Sequence, residues 1–269
     1  MIKTLKKYFK VYYRFLRFNL IYSMTYRASF LMELSIEILY TLTVLVFFNV
    51  VYGNIRQVAG WSYYEIMFLI GLDIIMSELF VATIFALNTN NVPEAIKNGT
   101  VDSILLKPIN SQFSLTISRT YIPSIITMIP GFYLLYFALE HLHITLQPIN
   151  VIMGVLILLC GFIITYSIMT IATSLAFYFT NAKLFPRIGM DMVMYFESRP
   201  HSIFNTVILK LLFFLLIPAV FVASIPTWTI IRGVEWHYVV MAVILACIFF
   251  KASTSIWNKM ILYYSSATS

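Results

Sequence analysis

Residues 149–179 read INVIMGVLILLCGFIITYSIMTIATSLAFYF, an apolar run without a single charged side chain. Such a run exceeds the roughly 20 residues that an α-helix needs to cross the hydrocarbon core of a membrane. It predicts a transmembrane helix, and its extra length predicts either tilt or projection into water. The chain on both sides of this run has the same character.

Five further apolar runs lie near residues 30–52, 63–87, 113–139, 204–226 and 237–257. Of the 269 residues, 61% are hydrophobic and only 11% are charged. Soluble domains average about 25% charged residues, so this chain has too little polar surface for a water-soluble fold. The sequence therefore predicts an all-α integral membrane protein with about six transmembrane helices, in which residues 29–269 form a single membrane domain.

The positions of the basic residues predict the orientation of these helices. If the N-terminus is cytoplasmic, only Arg56 and Arg232 lie outside, which leaves 16 of the 18 lysines and arginines on the cytoplasmic side. Because basic residues favour that side, both termini and the loops around 88–112 and 180–203 are expected there. The basic residues occupy short segments between apolar spans, so we expect no nucleic-acid partner.

Residues 1–28 predict a helix of a second kind. With a period of 3.6 residues, apolar side chains fall on one face and basic side chains on nearly the opposite face. The apolar set is Leu5, Phe9, Tyr12, Leu16 and Leu20, and the basic set is Lys3, Lys7, Lys10, Arg14 and Arg17. We expect an amphipathic helix in the cytoplasmic interface, in contact with membrane lipids. A plain anchor that only fixes the topology is the alternative.

The polar loop after the second span, residues 88–112, has defined helix starts and stops. Asn91 is suited to cap a short helix with Pro93 in its first turn, and Gly99 is suited to end it. Asp102 is suited to cap a second turn, which Pro108 ends. The pattern predicts a short, stiff helical hairpin on the cytoplasmic side. A soluble partner could push on such an element, and a structured loop without a partner is the alternative.

Three of the ionisable residues inside the predicted spans stand out, because a charge at membrane depth is costly and usually functional. Asp73 lies about ten residues into the second span, roughly 15 Å deep, and has no obvious partner. It is expected either to line a polar or substrate cavity or to accept a hydrogen bond from a neighbouring helix. Glu78 and Arg119 are expected at similar depth, and a structural ion pair is favoured for them. These three residues are the candidates for an intramembrane polar or substrate site.

Catalytic and cofactor-binding motifs are absent from the sequence. His141, His143, His201 and His237 do not have the H-E-x-x-H spacing, so no metal site is predicted. There is no G-x-x-x-x-G-K-[ST] sequence to hold the phosphates of ATP. The chain is therefore not expected to be an enzyme, and if it is driven by ATP the ATPase is another polypeptide.

Four stretches carry a resemblance to a known family. They are YRASFL at 26–31, GWSYYE at 60–65, PEAIKNGTVDSILLKPIN at 93–110 and YSSATS at 264–269. In this order the chain resembles the permease subunits of bacterial type-two ABC exporters, in particular the compact permease family that includes viologen-type exporters. The third stretch is the most specific, and together the stretches extend over nearly the whole chain.

The resemblance implies a mechanism and a set of partners. The loop after the second span would be a coupling helix, docked on a separate cytoplasmic ABC ATPase subunit that uses ATP and Mg, while this chain binds no cofactor directly. A second permease, identical or a related paralogue, would complete the membrane unit in the bacterial inner membrane. The stretch 225–235 would match a short helical segment in the outer leaflet. The ATPase contact would be formed by Pro93, Glu94, Ile96, Lys97, Gly99 and Asp102.

The expected function is therefore the permease subunit of an ATP-driven exporter, with a substrate that the sequence does not identify. An ATP-independent channel or secondary transporter is the alternative. A secondary transporter should show broken helices in corresponding halves and an ion-coupling site. Pro123, Pro130 and Pro218 are suited to break helices, but they do not mirror one another, which favours the exporter.

Overall fold

The computed structural model describes residues 12–14, 17, 21, 27–88, 92, 95–96, 98–99, 101–117, 121, 123–178 and 184–263. Most of the predicted interface helix, residues 1–28, lies outside these described residues. The regular secondary structure of the described residues is helical, apart from an isolated bridge between Val58 and Trp61. The protein is therefore an all-α membrane protein, as its apolar runs predict.

The α-helices of the described residues differ widely in length. In chain order they are α1 (Arg27–Asn54), α2 (Tyr63–Asn88), α3 (Asp102–Leu105), α4 (Ser111–Ile117), α5 (Pro123–Thr127), α6 (Ile129–Leu142), α7 (Pro148–Ser174), α8 (Leu184–Glu197), α9 (Val207–Lys210), α10 (Ser224–Arg232) and α11 (Trp236–Ile261). Proline occupies the first turn of α6 and of α7, where its missing N–H leaves no helical hydrogen bond unmade.

Five stretches of the described residues are long and apolar enough to cross a membrane. They are Leu34–Asn54, Tyr63–Ile84, Pro123–Leu142, Pro148–Phe177 and Trp236–Ile261. These stretches overlap the predicted spans near 30–52, 63–87, 113–139, 149–179 and 237–257. The third begins later than expected, because α4 is a separate short helix that ends before α5 begins.

The long helices pack in pairs. Helix α11 packs along α7, and α2 packs along α6, while α10 lies against α7. Two buried clusters occupy the space between them near the two ends of the molecule. Met169 and Trp257 belong to the cluster on the side of the 88–112 loop, and Trp61 and Leu134 belong to the cluster at the other end. We call these the loop end and the Trp61 end.

The predicted span over 204–226 is not a continuous helix. The short α9 is followed by a π-helical turn, Leu211–Leu216, and by a 3-10 turn, Ala219–Phe221, before α10 begins. Pro218 lies between the two turns, where its ring interrupts the helical hydrogen bonds. Phe221 nevertheless packs with Ile157 and Ile164 of α7 in one buried cluster. From Pro218 to Phe221 the segment is buried among the long helices, whereas Val207, Ile208 and Leu216 in its first half are exposed. The run therefore does not cross the membrane as one continuous helix.

Helix α8 takes the place that was expected of a cytoplasmic loop. Val193 of α8 packs with Trp257 at the loop end, whereas His201, four residues beyond the helix, contacts Trp61. The chain therefore returns to the Trp61 end before residue 204, which contradicts the expected placement of residues 180–203. Arg187 and Asp191 are exposed one turn apart on α8, and this polar face lowers its hydropathy below that of a typical span.

Candidate functional site

The segment that joins α2 to α4 is anchored on the membrane helices. Val92 and Val101 are buried, at 1% and 0% exposure, and belong to one cluster with Ile84 of α2 and Trp257 of α11. Ile96 packs against the rim of the same cluster. These buried side chains therefore attach the described part of the segment to the loop ends of α2 and α11. We call residues 88–112 the coupling segment, a name taken from the role that the resemblance implies for them.

The described turns of the coupling segment follow part of the pattern that its sequence predicts, while the predicted cap Asn91 and Pro93 lie outside the described residues. Gly99 has a φ of 70°, the left-handed conformation that glycine adopts at little cost. The N–H of Asp102 donates to the carbonyl of Gly99 at 3.2 Å, and α3 begins at Asp102. The side chain of Asn110 then accepts a hydrogen bond of 3.0 Å from the N–H of Phe113 at the start of α4. The segment is thus a folded element and not an extended linker.

One side of the coupling segment is open to solvent. Leu106 is 85% exposed, which makes it the most exposed large apolar side chain of the described residues. Lys107 and Pro108 follow it and are exposed as well. An exposed leucine on an anchored turn, beside a cation, is a surface that a soluble protein can cover.

The predicted ATPase contact is described only in part. Ile96, Gly99 and Asp102 are half-buried, and Ile96 packs toward the membrane helices. Pro93, Glu94 and Lys97 lie outside the described residues, so their role remains a prediction. The exposed Leu106 was not among the predicted contacts, although it lies in the motif that carries the resemblance.

Asp73 lies inside the protein, as its position in the second span predicts. It is 8% exposed, and Glu197 at the end of α8 is 1% exposed. Helices α2 and α8 are in contact, and the carboxyl group of Asp73 is close enough to Glu197 to act on it electrostatically. The structure therefore gives Asp73 a neighbour of its own charge, which the sequence did not predict.

Glu78 has a polar partner on α5. The hydroxyl of Thr127 donates to its Oε2 at 2.7 Å and lies 3.1 Å from the carbonyl oxygen of Ser124. Arg119 lies outside the described residues, so its predicted ion pair with Glu78 remains a prediction. In the described part of the chain, the partner of Glu78 is thus a neutral hydroxyl and not a basic side chain.

At the Trp61 end, an ion pair joins α2 to α10. Arg232 donates from Nε to Glu65 Oε1 at 2.7 Å and from Nη2 to Glu65 Oε2 at 2.8 Å. Its guanidinium lies 4.2 Å from the ring centroid of Trp228, and it also donates to the carbonyl of Gly60. The hydrogen bond to Glu65 raises the pKa of Arg232. This two-point ion pair fixes α10 to the beginning of α2.

His201 lies in an aromatic pocket at the same end. Its ring centroid is 5.0 Å from that of Trp228 and 5.9 Å from that of Trp61, and its backbone N–H donates to Ser224 Oγ at 2.7 Å. Burial lowers the pKa of His201 from 6.5 to about 4, because the pocket disfavours the charged ring. His201 is thus a neutral packing residue here, and not a solvated loop histidine.

The described residues contain no group of three histidine, cysteine or acidic side chains that could hold a metal ion. A cavity of about 540 Å³ opens between α2, α4, α7 and α11. Thr83, Gln112, Phe162 and Tyr166 contribute to its lining, and the side chains that line it carry no charge. It therefore offers room for an apolar or neutral polar group rather than for an ion.

Two interactions described above, of Glu197 with Asp73 and of Glu65 with Arg232, were not found from the sequence. Glu197 was assigned to a cytoplasmic loop, and the pairing of Glu65 with Arg232 joins residues 167 positions apart. The amphipathic pattern of α8, with Arg187 and Asp191 one turn apart, is the signal that could have revealed a buried Glu197. No local sequence pattern predicts the long-range ion pair between Glu65 and Arg232.

A comparison with known protein families identifies the family of this chain. The profile of the family described as ABC-2 family transporter protein matches residues 38–268, which is most of the chain. No curated protein and no solved structure is similar enough to match it. The chain belongs to the ABC-2 transporter family.

Proposed function

We propose that this member of the ABC-2 transporter family couples ATP hydrolysis by a separate cytoplasmic ATPase subunit to the export of a substrate. Membership of the family makes the chain a multi-pass membrane permease of an ABC transporter. The coupling to ATP, the direction of transport, and pairing with a second permease, identical or related, belong to the proposal. Because the chain has no phosphate-binding loop, ATP and Mg would be held by the partner.

The observation that carries the proposal is the build of the coupling segment. Val92 and Val101 hold its inner side on α2 and α11, while Leu106 is exposed on its outer side. An ATPase that covered Leu106 would bury an apolar side chain and would contact an element rigidly joined to two membrane helices. Movement of the ATPase would then shift these helices together.

Copurification with the ATPase subunit encoded beside the gene tests the proposal. The variant Leu106→Asp should weaken the complex by about 30-fold, because a buried apolar anchor at the centre of an interface often contributes 2 kcal/mol or more. Leu262→Asp is the matched control, since Leu262 is 83% exposed, directly follows α11 and lies outside the coupling segment. Glu94→Ala and Lys97→Ala test the two predicted contacts in the same assay.

The possible outcomes test the assigned ATPase-binding surface and the exporter function separately. If the Leu106→Asp complex forms and hydrolyses ATP as the parent does, the assigned surface is wrong. If no ATPase copurifies with the parent chain, the exporter proposal is overturned. An ATP-independent transporter would then be favoured, for which the buried Asp73 and Glu197 would be the first candidates for an ion-coupling site.

A further inference from the structure

Three helices meet at a group of acidic side chains within the membrane. Asp73 lies about 15 Å along α2 from its first residue, and Glu197 is the last residue of α8. Both carboxyl groups are close enough to Tyr40 of α1 to act on it electrostatically, as is Glu37. Asp73 and Glu197 therefore lie within electrostatic range of each other, where α1, α2 and α8 approach one another.

The two carboxyl groups are buried, and each has an oxygen without a hydrogen-bond partner among the described residues. Asp73 is 8% exposed and Glu197 is 1% exposed. Neither Oδ1 of Asp73 nor Oε2 of Glu197 is accessible to solvent, and neither has a hydrogen-bond partner among the described residues. A buried oxygen that lacks a donor costs free energy, so each of these atoms is suited to receive a ligand.

The surroundings supply further negative charge rather than a counter-ion. Helix α1 contributes Glu37 and Tyr40, and α2 contributes Glu78, which is engaged by a threonine hydroxyl. No lysine, arginine or histidine in the described part of the chain forms an ion pair with Asp73 or Glu197. Asp191 and Arg199, the nearest charged residues of known exposure along α8 and beyond it, are exposed.

Two neighbouring carboxylates do not both stay ionised in a poorly solvated interior unless a cation lies between them. The stabilising occupant must therefore bring one positive charge. A divalent metal ion usually requires more oxygen ligands than two carboxyl groups, and no group of three suitable side chains is present among the described residues. A monovalent cation fits the charge and the number of free oxygens.

We propose that Asp73 and Glu197 form a site for one monovalent cation at the contact between α2 and α8, with a proton as its simplest occupant. Occupancy would hold the two helices together, and an empty site would place two like charges side by side. The site does not depend on ATP coupling, so it stands or falls separately from the proposed function.

Labelling with dicyclohexylcarbodiimide, an apolar reagent that adds to protonated carboxyl groups as an N-acylurea, tests the site in the full chain in lipid nanodiscs. Peptide mass spectrometry should find Asp73 or Glu197 labelled at about pH 6 and labelled about tenfold less at about pH 9, because the proton is lost in between. Asp191, exposed on the same helix, should remain unlabelled because its carboxylate is solvated.

Two isosteric variants test whether the carboxyl groups act as one site. Asp73→Asn should move the pH midpoint of Glu197 labelling downward by about one unit or more, because the neighbouring negative charge is gone, and Glu197→Gln should do the same for Asp73. Asp191→Asn is the matched control and should leave both midpoints unchanged. If one variant does not fold, the pH curve of the parent chain and the other variant still decide the question.

Replacing choline chloride by sodium chloride at equal ionic strength identifies the occupant. Protection from labelling by sodium would mean that Na⁺ occupies the site, and unchanged labelling would mean that the site selects the proton; both results support it. The proposal is overturned if neither residue is labelled at any pH, or if the labelling of each residue is independent of the other.

Discussion

Helices α1 and α2 have the same hydropathy and opposite surroundings. Both apolar stretches have a mean hydropathy of 2.0, but 6% of the α1 stretch is buried in the single chain, against 61% of the α2 stretch. Hydropathy identifies a helix that belongs in a membrane. Because lipid and the protein interior are similarly apolar, hydropathy does not show which of the two the helix contacts.

The difference arises from backbone contact and from polar attachment. Gly71 of α2 lies so close to Gly131 of α6 that a Cβ at Gly71 would be 2.8 Å from the Gly131 carbonyl oxygen. Glu65 then attaches the beginning of α2 to α10 through Arg232. Helix α1 has few such contacts: Leu39 and Val46, for example, are 62% and 63% exposed. Lipid or the proposed second permease would cover this surface.

Truncating a leucine on each helix should expose the largest difference. Leu69→Ala on α2 should lower the free energy of unfolding by about 3 kcal/mol, because Leu69 is fully buried and leaves a cavity. Leu39→Ala on α1 is the matched control and should cost less than about 0.5 kcal/mol in the isolated chain. Denaturant unfolding in detergent, followed by tryptophan fluorescence, measures both. Equal losses would mean that α1 is as firmly packed as α2.

A glycine pair sharpens the comparison at the backbone. Gly71→Ala should cost about 1–3 kcal/mol, because the new Cβ meets backbone atoms of α6 that cannot rotate away. Gly53→Ala on α1 has nothing within 4 Å of the new Cβ and should be neutral or slightly stabilising. The same unfolding assay compares them. A harmless Gly71→Ala would contradict the close approach of α2 and α6.

The buried His201 at the Trp61 end should make the free energy of unfolding depend on pH. The pKa of His201 is about 4 in the folded chain and 6.5 when solvated, so the unfolded chain binds the proton first. Stability should therefore fall as the pH drops below about 6.5, by about 2 kcal/mol between pH 7 and pH 5, and level off near pH 4. His201→Gln, which does not titrate, should show a shallower decline. If the stability of the parent and of His201→Gln fell equally with pH, His201 would be exposed to solvent and not buried.

Local signals predicted the coupling segment well. Gly99 has the left-handed φ that a helix stop requires, and a second helical turn begins at Asp102, near where it was predicted. These features depend on a few neighbouring residues, so they can be inferred from a short stretch of sequence. The exposure of Leu106 could not, because it depends on which side of the segment the membrane helices cover.

The fifth predicted span shows where hydropathy misleads. The run 204–226 is apolar enough for a span, yet Pro218 and the turns around it break the helix, and α8 carries the chain to the Trp61 end instead. Irregular backbone is tolerated at membrane depth only where protein surrounds it, as protein does from Ala219 to Phe221. Whether protein or lipid surrounds a segment is a tertiary property.

The sequence by itself determined that this is a helical membrane protein with a structured coupling segment, because apolar run length and helix caps are local properties. Only the tertiary structure decided which apolar helix is buried, that Asp73 and Glu197 come within electrostatic range, and that Glu65 pairs with Arg232. Such pairings depend on how helices distant in sequence approach one another. Packing and charge contacts between helices therefore settle what hydropathy leaves undetermined.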